Sequence, residues 1–172
     1  MEKQFLMLID GMTGAGKTTT TKLLSQHLPR TAIIGMDKIK KFISDFERGE
    51  RDNSIARDIT VAMAKKYIGY GLSVIVEQAF RNEDDVKPYE ELAKRSSLSC
   101  YKFQLFASPE IAYGRVMLRQ KDLEDKVPEE RVQRNISLFK KKDALGFTVI
   151  DTSSLEADAA SKLILEKIKT TS

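Results

Sequence analysis

Cysteine and histidine are all but missing from this chain: its 172 residues hold one of each, Cys100 and His27. A single thiol forms no intramolecular disulfide. Cys100 sits in an apolar, strand-like run and reads as a small core residue. His27 lies near the end of a candidate helix, where a basic group suits the helix terminus, and nothing pairs it with the thiol. Nine glycines and four prolines are too few for a low-complexity chain. No apolar run is long enough to span a bilayer. The opening Met1-Glu2-Lys3-Gln4 lacks the basic leader and small-residue cleavage site of a signal peptide. The expectation is a cytoplasmic protein with no membrane partner, in which the sequon Asn135-Ile136-Ser137 carries no sugar.

What the chain does have is a globular balance, 41% hydrophobic and 31% charged, in a length that fits one domain over residues 1–172. Its net charge of +4 suits an anionic ligand and is too mild to demand nucleic acid.

Short apolar runs alternate with amphipathic stretches. Strands are expected at 5–9, 31–35, 73–77, 98–106 and 147–150. Helices are expected at 17–28, from Asp37 with Ile39, Phe42, Ile43 and Phe46 on one face, and at 54–70. Others follow at 82–96, from Ser108-Pro109-Glu110 to about 119, from Pro128 to about 146, and from a capping box at Ser153 and Glu156 to about 169. Residues 48–53 read as a loop and 120–126 as a charged segment. Such alternation predicts an α/β fold with a parallel sheet covered on both faces. Ligands bind beyond the carboxyl ends of such strands. That rim gathers residues 11–18, Asp37, 77–81, Ser108 and 151–153.

Gly11-Met12-Thr13-Gly14-Ala15-Gly16-Lys17-Thr18 fits the pattern G-x-x-x-x-G-K-S/T between a strand and a helix, the context the motif requires. A chance match is of order 1% or less. Glycines let the chain curl so that backbone N–H groups point at a phosphate, and the following helix turns its positive end toward it. Lys17 can reach the β- and γ-phosphates, and Thr18 can place its hydroxyl on Mg²⁺. With Thr19, these residues form the expected ATP-contacting set.

Three further features point to phosphoryl transfer. Asp37, at the head of a helix, can orient an acceptor hydroxyl and take its proton, although aspartate also caps helices. Lys40, one turn later, can steady an anionic group or simply be solvated. Arg115 and Arg119, four apart on one helix face, can clamp phosphoryl oxygens, with Arg131 and Arg134 as weaker candidates. Glu77 ends an apolar strand and can hold Mg²⁺ through water or orient the acceptor, unless it is an ordinary strand-end acid. Phe80 and Arg81 are candidates to line the acceptor pocket.

These residues resemble the small P-loop kinases of the nucleoside monophosphate kinase-like superfamily. Within it, the echoes are of chloramphenicol phosphotransferase, zeta-toxin type kinases and 5′-hydroxyl polynucleotide kinases. The resemblance implies a three-layer α/β/α sandwich with a five-stranded parallel sheet in the order 2-3-1-4-5. It implies a catalytic aspartate in Gly35-Met36-Asp37, an arginine-bearing lid around 115–134, and a turn near the adenine at Asp151 and Thr152. It implies an ATP-dependent kinase, with Mg²⁺, acting on a hydroxyl of a small-molecule acceptor.

Two positions depart from the pattern: Lys40 stands where polynucleotide kinases carry arginine, and Glu77 where several relatives carry aspartate. The lysine weakens the reading as a polynucleotide kinase, which is kept as an alternative with a basic rim of Lys38, Lys40, Lys41, Arg48 and Arg51. A hydrolysing ATPase or nucleotide switch is the other. A guanine-specific switch would need Asn-Lys-x-Asp, and Lys140-Lys141-Lys142-Asp143 lacks the asparagine. Asp143-Ala144-Leu145-Gly146 reads as a helix ending at glycine. The acceptor's identity and the oligomeric state stay open.

Overall fold

A computed structural model describes residues 4–47, 49–121, 126–139 and 145–170. Five strands, β1 Phe5–Gly11, β2 Thr31–Gly35, β3 Ser73–Glu77, β4 Ser99–Phe106 and β5 Thr148–Asp151, form one sheet in the order β2-β3-β1-β4-β5. Every pairing is parallel. The expected sheet order is therefore observed.

The helices are α1 Lys17–His27, α2 Met36–Lys40, α3 Glu50–Gly69, α4 Glu83–Arg95, α5 Pro109–Gln120, α6 Glu129–Ser137 and α7 Ala157–Thr170. Successive side chains of a strand point to opposite faces, and β1 divides its residues accordingly. Met7 and Ile9 join Leu24 of α1, Val116 of α5 and Ile164 of α7 in one core. Leu6 and Leu8 join Ala64 of α3 and Tyr89 of α4 in the other. Burial on both faces explains why β1 is an unbroken apolar run.

Register sets the site. Gly35 pairs with Glu77, Glu77 with Ile9, and Gly11 with Leu105. The carboxyl ends of β1, β2, β3 and β4 thus open onto one rim.

Several boundaries differ from the sequence reading. β1 continues through Asp10 and Gly11, and Asp10 is fully buried. Its carboxylate accepts the Phe80 backbone N–H at 3.2 Å and the Gln104 amide at 2.7 Å. The helix expected to reach Phe46 stops at Lys40, where the hydrogen bonds tighten to i+3 spacing at Lys41, Phe42 and Ile43. Phe42 is left 80% exposed instead of packed. The loop expected at 48–53 is mostly the start of α3, which begins at Glu50.

α6 ends at Ser137 and not near Gly146. The readings of Arg48 and of 140–144 lie outside the described residues. Phe147 belongs to the core, and β5 begins one residue later. The capping box at Ser153 does not form: α7 starts at Ala157, and the Ser153 hydroxyl accepts the Ser108 N–H at 2.8 Å. The caps at Asn82 and Ser108 do form.

Burial pushes the Cys100 thiol up to about 11, so it is no ready nucleophile. Among the described residues no helix is long and apolar enough to cross a membrane.

Candidate phosphate and acceptor site

The loop between β1 and α1 keeps its shape through close packing. A Cβ on Gly11 would stand 2.6 Å from the Leu105 carbonyl oxygen on the neighbouring strand. Gly14 has φ +84°, and a Cβ there would stand 2.3 Å from the Ala112 carbonyl oxygen in the first turns of α5. Only glycine fits this approach. The first turn of α1 carries no acidic residue, so its N–H groups and positive end are available to an anion.

Lys17 spans the loop, donating from Nζ to the carbonyls of Gly11 at 2.7 Å and Met12 at 3.2 Å. Burial pulls its ammonium below the ordinary lysine value, against the opposing pull of Glu77, Asp10 and Asp37; Arg119 lowers it further. Both Asp37 and Arg119 therefore lie within electrostatic reach of Lys17.

Glu77 braces the other shoulder. Its carboxylate accepts the Thr18 hydroxyl at 2.6 Å and the Thr21 hydroxyl at 3.1 Å. A hydroxyl and a carboxylate so close are oxygen donors suited to Mg²⁺, which needs few protein ligands beside phosphate and water.

Asp37 is the second residue of α2. Its side chain is 93% exposed, and Lys40 Nζ lies 3.2 Å away. It does not cap α2, because Gly35 holds the cap position. Asp37 lines a cavity of about 280 Å³ together with Lys17, Thr18 and Glu77. The same cavity is bounded by Asn53, Arg57, Gln78, Arg81 and Asp85. Phe80, an expected lining residue, is instead fully buried among Tyr89 and Phe147.

A wider cleft of about 1060 Å³ continues past Asp37 toward α5 and α6, lined among others by Arg119 and Arg131. Arg134 is not among its lining residues.

Arg115 and Arg119 part company despite sharing a helix face. Arg115 donates to the Thr152 carbonyl at 2.9 Å and approaches the Leu155 carbonyl at 3.5 Å, which fastens the turn after β5. Arg119 is exposed and borders both the wide cleft and a third cavity of about 270 Å³. That third cavity is lined by Gly14, Ala15, Gly16, Thr19, Arg115 and Thr152 among others, and Asp37 is not among its lining residues.

The Thr152 hydroxyl lies 3.1 Å from the Ala15 carbonyl and 2.9 Å from that of Phe106, so it ties the loop to the sheet. Asp151 is exposed, and its carboxylate accepts the Ser153 N–H at 2.8 Å.

The sequence reading gave Arg57 and Gln78 no role, and gave Asp85 only a place in the helix start at Asn82. Asp85 is 5% exposed, accepts the Arg81 backbone N–H at 2.8 Å and its Nε at 3.3 Å, and faces Arg57 Nε at 3.6 Å. Glu50 pairs with Arg57 and approaches Arg81 at 3.9 Å. Only Gln78 carried a signal, since it follows Glu77 on the ligand rim. Arg57 sits mid-helix, and only the packing of α3 beside α4 brings it in.

Residues 6–141 match the family described as an AAA domain, AAA_33. Nicotinamide riboside kinase 1 of Homo sapiens is 31% identical over 77 residues, 45% of this chain. That match spans 38% of the human protein's length. Among solved structures, a sugar kinase from a Janibacter species superposes with a TM-score of 0.72 at 14% identity, covering 96% of this chain and 95% of that one. The tunicamycin resistance protein of Deinococcus radiodurans does so with a TM-score of 0.68 at 18% identity, covering 96% of each chain. With the family match covering most of its length, the chain belongs to the AAA domain family AAA_33, within the kinase-like P-loop superfamily.

Proposed function

We propose that the chain transfers the γ-phosphoryl group of ATP to a hydroxyl of a small-molecule acceptor. One observation carries this reading. The lysine and threonine of the phosphate loop and the carboxylate of Asp37 front a single cavity of about 280 Å³, so phosphate and acceptor can meet there.

In the proposed reaction, loop N–H groups from Gly11 to Thr19 and the Lys17 ammonium hold the β- and γ-phosphates. The adenine side lies at the cavity bordered by Arg115 and Thr152. Asp151 is an exposed neighbour of that turn. The acceptor oxygen forms a bond to the γ-phosphorus while the bond to the β–γ bridging oxygen breaks. The acceptor proton passes to the Asp37 carboxylate, and ADP leaves.

Arg119, which borders the wider cleft together with Asp37, neutralises charge developing on the transferred group. The arginine-bearing region 115–134 serves as the lid that excludes water; its residues 122–125 lie outside the described ones. Thr18 and Glu77 would hold Mg²⁺, which when bound offsets charge on the phosphate oxygens.

The test is nucleotide turnover with and without acceptors, including nucleosides, sugars, antibiotics and 5′-hydroxyl oligonucleotides. A kinase consumes little ATP alone and is strongly stimulated by its acceptor. Equal turnover with and without every acceptor would favour an ATPase and end this reading.

A further inference from the structure

Three buried side-chain polar atoms have no hydrogen-bond partner among the described residues: Thr20 Oγ1, Arg57 Nη1 and Gln78 Nε2. Two of the three belong to residues that line the cavity holding Asp37. Leaving a buried donor unpaired costs roughly 1–3 kcal/mol, so two such donors in residues that wall one cavity favour a ligand that reaches them with oxygens as it seats.

Both groups are held in place. Gln78 is 4% exposed; its backbone N–H donates to Ile9 O at 3.3 Å, and its Oε1 takes the Tyr89 hydroxyl at 3.1 Å. Burial raises the Tyr89 phenol well above its ordinary range, so that hydroxyl keeps its proton to donate. Arg57 commits Nη2 to Glu50 and Nε to Asp85, leaving Nη1.

The charges around these donors already balance. Two arginines, Arg57 and Arg81, face two carboxylates, Asp85 and Glu50. A phosphate or carboxylate beside these donors would meet the buried Asp85, while the cavity's other cations, Lys17, Lys38 and Lys40, share it with Glu77 and Asp37. A hydroxyl does better, because it accepts from Arg57 or Gln78 and can donate to Asp85. Among the described residues no aromatic side chain lines the cavity to stack on a flat ring.

We propose that the group entering this cavity is a neutral polyhydroxyl moiety, a sugar or polyol, and that Arg57 and Gln78 set specificity by holding hydroxyls other than the one phosphorylated. This rests on the phosphotransfer reading above.

The experiment offers the wild-type chain labelled ATP and matched acceptors: neutral sugars and polyols, their phosphate and carboxylate counterparts, and aromatic alcohols. Transfer to a neutral polyhydroxyl acceptor is expected. Removing one non-reacting hydroxyl from it should raise its KM about tenfold or more. Gln78→Met or Arg57→Lys should raise KM for the full acceptor similarly. The same variant should barely change KM for the deoxy acceptor lacking the hydroxyl it no longer holds, and ATP affinity should stay as in the wild type. The deoxy series needs no variant, so it stands even if one fails to fold. Transfer only to anionic or aromatic acceptors, or unchanged KM across both the variants and the deoxy series, overturns this inference and leaves phosphotransfer standing. ATP binding without transfer to any acceptor overturns both.

Discussion

Replacing Asp37 by asparagine should separate rate from stability. The Asp37 side chain is 93% exposed, and its ion pair with Lys40 spans one turn at 3.2 Å. An exposed pair of that kind contributes roughly 0.3–0.5 kcal/mol before salt screening, and asparagine keeps an oxygen for Lys40. In a chain of this size about 1 kcal/mol moves the melting point by roughly 2–4 °C, so the expected change is under about 2 °C. A positioned general base contributes roughly 10²–10⁴ in rate, equivalent to about 2.7–5.5 kcal/mol of barrier. The loss in turnover should therefore exceed the loss in stability by about an order of magnitude in free energy. Initial rates with labelled ATP, calorimetric ATP affinity and a melting curve on the same preparation measure all three quantities. Undiminished turnover would refute the base assignment. A drop of more than about 5 °C with lost ATP affinity would show that Asp37 holds structure and performs no chemistry.

Arg119→Ala should lower turnover about tenfold or more while ATP affinity changes less, because its exposed guanidinium borders the cleft without bracing the fold; steady-state kinetics with unchanged turnover would remove it from the site. Gly14→Ala should weaken ATP binding about tenfold or more in a protein that still folds. The left-handed backbone alone costs roughly 1–2 kcal/mol, and the new Cβ would stand 2.3 Å from the Ala112 carbonyl oxygen; calorimetry checks this. Lys17 makes a pH prediction. Its folded-state value lies below the ordinary 10.5, so its charge costs stability below the folded value, and that cost is relieved as pH rises from there toward 10.5. The nucleotide-free melting point should rise over that window in the wild type and not in Lys17→Met, while ATP affinity falls over the same range.

The fold was legible because its signals are local. β1 buries both faces, so a continuous apolar run announces it. The phosphate loop encodes its own shape in glycines and a lysine. Ser108-Pro109 and Asn82 mark helix starts that form as read. What the sequence hid is tertiary. Residues 50–53 look like a loop because all four are polar, although only Glu50 and Arg51 are exposed. Residues 42–46 look helical because Phe42, Ile43 and Phe46 keep the spacing, yet Phe42 finds no neighbouring face and stays exposed. Arg57 and Asp85 come together from two helices, and no spacing within the chain foretells that pair. Arg115 and Arg119 share a helix face, but the turn after β5 captures only the first.

The same distinction explains how a glycine-rich loop can serve as a rigid site. Glycine loses more conformational freedom on ordering than any other residue, so a loop with three glycines in eight residues needs bracing from outside itself. Much of the bracing comes from residues distant in sequence. Glu77 of β3 holds the Thr18 and Thr21 hydroxyls, and the Thr152 hydroxyl after β5 reaches the Ala15 carbonyl. Asp10 of β1 anchors the Phe80 backbone and the Gln104 amide beneath the loop. Burial works against the Lys17 charge, and the carboxylates of Glu77, Asp10 and Asp37 partly offset it. Dipoles and charges fixed before the substrate arrives need no reorganisation during transfer. The motif thus supplies the groups that meet phosphate, and the sheet's register supplies the rigidity that makes those groups useful.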